Sequence, residues 1–147
     1  MYSAQLNRTD PEVVIRVVKN VDGGGSITTG LGVCLVQAGA SIDGISAVQS
    51  TAATWKGFAG VAKQNIAIND FGVITAYGYA ASVLISHVGS SITVTAGDTL
   101  KPGAVAGTFF SSLTDQAIST LLYRYVYTAN TQTISAAAYV SGVVRAL

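Results

Sequence analysis

An all-β fold, a small β-barrel or sandwich, is what this 147-residue sequence predicts, on three observations. Short runs rich in Val, Ile and Thr recur along the chain between glycine-bearing turns, the pattern of a barrel or sandwich. Only 10% of the residues are charged, against roughly 25% in ordinary soluble domains. Lysine and glutamate, the usual covering of exposed helices, total five residues, which argues against an all-α fold.

The elements follow in order. Residues 1–12 read as an N-terminal arm, because Asn7-Arg8-Thr9-Asp10-Pro11-Glu12 gathers polar side chains around a proline. Residues 13–147 then form one β-rich domain, a length that supports a single core. Val13 to Lys19 is a β-branched run of strand length. Asp22-Gly23-Gly24-Gly25-Ser26 is a turn, and Ile27 to Gln37 is a second run, bent by Gly30 and Gly32. Ile45 to Trp55 is ambiguous. Phe58 to Gln64 resumes strand character, Asn69-Asp70 turns, and Gly72 to Ile85 is a long strand or a bent pair. Ile92-Thr93-Val94-Thr95 alternates as a half-buried strand does. Ala96 to Gly103 is the strongest turn sequence of the chain. Leu113, Ala117, Ile118, Leu121 and Leu122 share one helical face, so the spacing predicts one short helix near 112–122. Tyr123, Tyr125 and Tyr127 return to the strand period, and 133–137 and 139–144 close the chain as short strands. No repeat of fixed period appears.

Composition excludes several kinds of chemistry. A net charge of +1 supplies no field for nucleic acid or acidic lipid. The charge-free windows Phe71–Gly97 and Tyr125–Val144 are too broken by Gly, Ser and Thr for a membrane helix. The first residues lack the basic end and apolar run of a signal peptide, so no export by that route is expected. His87 is the only histidine, and nothing near it in sequence orients it as a base. Cys34 lies in an apolar run that keeps a thiol inert. Asp22, Asp43, Asp70 and Asp98 each adjoin a turn, where Asx contacts explain a carboxylate. Gly23-Gly24-Gly25-Ser26 lacks the lysine and helix of a phosphate loop. No enzyme, cofactor or metal site is therefore expected.

So few charges imply a chain that is either poorly soluble alone or buries much of its outside on partners, and obligate interfaces are apolar and depleted in charge. A homo-oligomer or a subunit of a larger assembly is the expectation. An irregular arm that orders on a neighbour suits it. Within the arm, Tyr2, Leu6 and Arg8 are the candidate partner contacts, and Tyr123, Tyr125 and Tyr127 are candidates for core or interface.

Gly57-Phe58-Ala59-Gly60-Val61-Ala62 and Gly72-Val73-Ile74-Thr75-Ala76-Tyr77-Gly78 resemble the glycine-punctuated strands of tailed-bacteriophage head decoration (capsid cement) proteins. Ile92 to Leu100, with its Ala96-Gly97-Asp98-Thr99-Leu100 turn, and Gly107-Thr108-Phe109 continue the likeness, and Ala138 to Leu147 resembles the closing strand. The likeness covers about residues 57–110 and the tail, while 111–137 departs from the compact pattern. It implies a small barrel on the outer capsid surface of a virion. There a homotrimer would brace neighbouring copies of the major capsid protein. An alternative is a glycan-binding or adhesive β-domain of a virion tail or fibre, with the tyrosines and Trp55 as a sugar platform.

Overall fold

The computed structural model describes residues 12–39, 42–51, 53–86, 91–103, 106–111 and 126–146. Residues 1–11 of the expected arm and the expected helix at 112–122 lie outside them. The described chain is nearly all β, as expected, and contains a closed five-stranded barrel. Its strands are β1 (Val14–Asn20), β2 (Gly32–Leu35), β3 (Ser46–Gln49), β4 (Phe58–Ala62), β5 (Phe71–Ile85), β6 (Ile92–Val94), β7 (Thr99–Pro102), β8 (Phe109–Ser111), β9 (Val126–Thr128), β10 (Gln132–Ile134) and β11 (Ala138–Arg145). A single 3-10 turn, Trp55–Gly57, leads into β4.

The barrel runs β1-β3-β2-β4-β5 and back to β1. All its pairings are antiparallel except β1 with β3, which meet only at Lys19↔Ser46 and Asn20↔Ala47. Val18, Ile27, Leu31, Val33, Ala47, Ala59, Ala62, Ile66 and Ile74 fill it. Burying a large apolar side chain contributes about 1.5–3 kcal/mol, so these positions hold the ring closed. Asn20 is fully buried at the end of β1. Its amide donates to the carbonyls of Gly25 and Ile66, and its oxygen accepts the Asp22 amide. One side chain thereby satisfies three backbone groups where two loops meet, as a buried polar group must.

β5 does not stop at the barrel. Its second half pairs with β11, β11 with β9, β9 with β7, and β7 with β8. Ile85↔Phe109 then returns β8 to β5, where the Ser86 amide donates to the Phe109 carbonyl at 2.9 Å. These pairings close a second ring that shares β5 with the first. Its core holds Cys34, Phe58, Val61, Val83, Ile85, Leu100, Phe109, Val126, Val140 and Val144. The Phe58 and Phe109 rings meet edge to face, 5.8 Å apart at 84°. The hairpin-like pair β6 and β10 sends Ile92, Val94 and Ile134 into that core, while the Thr93 and Thr133 hydroxyls bond at 3.0 Å on the other face.

β2 and β4 form the wall between the two cores. Val33, Ala59 and Ala62 face the first core, and Cys34, Phe58 and Val61 the second. Every residue of β4 is buried for this reason.

Three local expectations change. The run 27–37 is broken: Ile27 forms an isolated bridge to Ile66, and β2 starts only at Gly32. The ambiguous stretch 45–55 divides into β3 and the start of the 3-10 turn. The turn expected through Gly103 ends at Asp98, whose amide donates to the Thr95 carbonyl and whose carboxylate accepts the Thr95 amide. Four residues complete that reversal, so Thr99 to Pro102 are free to pair as β7.

Two glycines permit the crossing of the rings. Gly60 has φ +150° and Gly78 has φ +97°. A Cβ on Gly60 would collide with the Thr75 carbonyl, and one on Gly78 with the Glu12 carbonyl. Gly78→Ala is expected to destabilise the fold by about 2–4 kcal/mol, through strain and lost close approach. Gly23 has open space around it, so Gly23→Ala should stay within about 0.5 kcal/mol. Chemical denaturation of the two variants checks the contrast.

Candidate partner interface

The outward side chains of β1 are as apolar as its inward ones. Ile15 and Val17 are each 55% exposed, opposite Thr75 and Val73 of β5. Phe71 is 61% exposed and lies opposite Lys19, whose ammonium sits 6.0 Å from the ring centroid. That spacing suits a cation–π contact. Ile15, Val17 and Phe71 thus form one bare apolar face on the first ring.

On the other side of β1, where Arg16 stands opposite the buried Ile74, the strand holds the turn before β3. The Arg16 guanidinium donates to the Gly44 carbonyl at 2.6 Å. Asp43 Oδ1 accepts the amides of Ser46 (2.6 Å) and Ile45 (2.8 Å), and Oδ2 accepts the Ser46 hydroxyl at 2.8 Å. These bonds favour the charged carboxylate and lower its pKa from 3.8 to about 2, the Ser46 amide contributing most. The unfolded chain therefore takes up this proton first as the solution is acidified. The Asp43 contribution to stability is complete above pH 3.8 and is lost as pH falls towards 2. Asp43→Asn should therefore show a flatter loss of stability across that window than the wild type, measured by denaturation at stepped pH.

A second bare face lies on the other ring. Val143 of β11 stands opposite Tyr79 of β5 on one side and Tyr127 of β9 on the other. Directly opposed residues share a face, so the three make a row across adjacent strands. Tyr79 is 45% and Val143 37% exposed, and Tyr127 is half-buried. Tyr139 is 55% exposed, and its ring leans over Gly30, where a Cβ would approach to 2.8 Å.

Of the residues singled out from sequence, only Tyr127 belongs to a described face. Tyr2, Leu6, Arg8, Tyr123, Tyr125 and His87 lie outside the described residues. Trp55 opens the 3-10 turn. Cys34 is buried, which pushes its thiol up to about 11 against the opposing effect of a hydrogen bond with Thr54. Asp22 and Asp98, like Asp43, accept backbone amides in turns. Among the described residues, no three His, Cys, Asp or Glu side chains gather as a metal site, and no helix is long and apolar enough to cross a membrane.

Ile15, Val17, Phe71, Tyr79, Tyr139 and Val143 escaped the sequence reading. Strand period separates two faces without saying which is covered, and in Val13–Lys19 both are apolar. Fold and faces define a double-ring β-barrel with two apolar surfaces that the other described residues leave exposed. Comparison with protein-family models and with curated proteins finds no match.

Proposed function

We propose that this protein is a structural subunit of a virion, a decoration or cement protein on the outside of a tailed-phage head. It binds the major capsid protein and copies of itself, as a homotrimer on the resemblance, and its role is mechanical rather than catalytic. The observation that carries this reading is the pair of bare apolar faces on closed rings, with Ile15, Val17 and Phe71 each more than half exposed. Large exposed apolar patches mark interaction sites. The stretches that resemble cement proteins form β4, the first half of β5, β6 with the turn into β7, the start of β8, and β11.

The mechanism is burial. Each Å² of apolar surface covered contributes about 25 cal/mol before the costs of association. Copies fixed side by side on a shell gain further from multivalent attachment. A second reading, a glycan-binding domain of a tail or fibre, draws on exposed Tyr79 and Tyr139, whose rings suit stacking on sugars.

The test is co-sedimentation with cognate phage heads stripped of their surface proteins. Saturable binding is expected, weakened by about tenfold or more when residues 1–12, which carry Tyr2, Leu6 and Arg8, are removed. Protein that stays in the supernatant at every concentration would overturn the capsid reading. Binding on a glycan array would then favour the second.

A further inference from the structure

We propose that the two bare faces are the two halves of one contact. The Ile15–Val17–Phe71 face of one copy would dock on the Tyr79–Val143–Tyr139 face of the next, head to tail. This rests on the homo-oligomer part of the reading above and names the surfaces that make it.

Three observations point to a second copy as the occupant. The faces lie on different rings, and β5 contributes to both. Phe71 and Tyr79 are eight residues apart, at most about 26 Å at the rise of a β-strand. A contact of either face with itself covers that face alone, whereas one head-to-tail contact uses both.

The chemistry of the faces also differs in a matching way. The first carries the Lys19 ammonium beside Ile15, Val17 and Phe71, and the second is rich in tyrosine, whose ring faces attract cations. Asp70, exposed beside Phe71, can accept tyrosine hydroxyls or the exposed Arg145 guanidinium two residues from Val143.

Finally, both borders carry both signs, Lys19 and Asp70 on one and Arg145 and Glu12 on the other. Such borders select neither a polyanion nor an acidic membrane, and a chain of net charge +1 does not repel its own copies. A heterologous contact of this kind closes into a ring when the rotation permits, three copies being the number the resemblance implies.

Light scattering on the full chain tests it, with Phe71→Lys disabling the first face and Val143→Lys the second. The wild type should be oligomeric, and each variant alone should fall to the 15.0 kDa of one chain. An equimolar mixture of the two variants should regain mass as a pair, because each retains the face that the other lacks. Circular dichroism confirms folding, and Phe71→Ser with Tyr79→Ser repeats the experiment without added charge.

A monomeric wild type, or a folded variant of either face that keeps the wild-type mass, would overturn the proposal. So would monomeric variants that stay monomeric when mixed, because each still holds the face that the other lacks. Capsid binding is read separately: a ring that ignores phage heads defeats only the capsid reading, and a monomer that binds them defeats only this one.

Discussion

Everything else in this fold depends on β5 serving two rings at once. Its first half closes the barrel against β1 and β4, and its second half is paired by β11 and, at Ile85, by β8. One strand can do this only if it turns between the rings while other backbone passes close by. Gly78 supplies the turn at φ +97°, with the Glu12 carbonyl lying where a side chain would begin. Gly60 makes the matching concession on β4 against Thr75. Two missing side chains thus set how the cores sit against each other.

The shared wall accounts for much of the unusual composition. A strand between two cores has no solvent face, so β4 reads Phe-Ala-Gly-Val-Ala without a polar residue and is buried throughout. β2 behaves alike, with Val33 and Cys34 facing opposite cores. Charge scarcity on these strands is internal architecture and implies no partner. Partners are therefore implied more narrowly than composition suggests, by outward residues that are apolar and exposed among the described residues. Ile15, Val17 and Phe71 on one ring and Tyr79, Tyr139 and Val143 on the other meet that description.

How much was legible follows from the same geometry. Strand runs at 13–19, 58–64, 72–85 and 92–95 stand out because β-branched residues and flanking glycines mark them locally. Doubling of the ring was not legible, since it depends on Ile85 meeting Phe109, a contact across more than twenty residues. β7 was hidden by Gly97, Pro102 and Gly103, which mimic a long turn although the reversal needs only four residues. Among the site residues, the Tyr123–Tyr125–Tyr127 stripe drew notice because its period is visible in one segment. Tyr127 in fact joins a row with Val143 and Tyr79, drawn from three separate strands. Such a row leaves no trace in local spacing.

Native-state hydrogen exchange along β5 tests the central claim most directly. If the strand is shared by two mutually dependent rings, the ladder amides of its first half, Gly72 to Tyr77, and of its second, Tyr79 to Ile85, should exchange only through global unfolding. Both halves should then report one free energy, equal to that from denaturation. A second half that opens at much lower free energy while the first stays protected would contradict the account. The barrel would then stand alone, with β7, β8, β9 and β11 as an appendage.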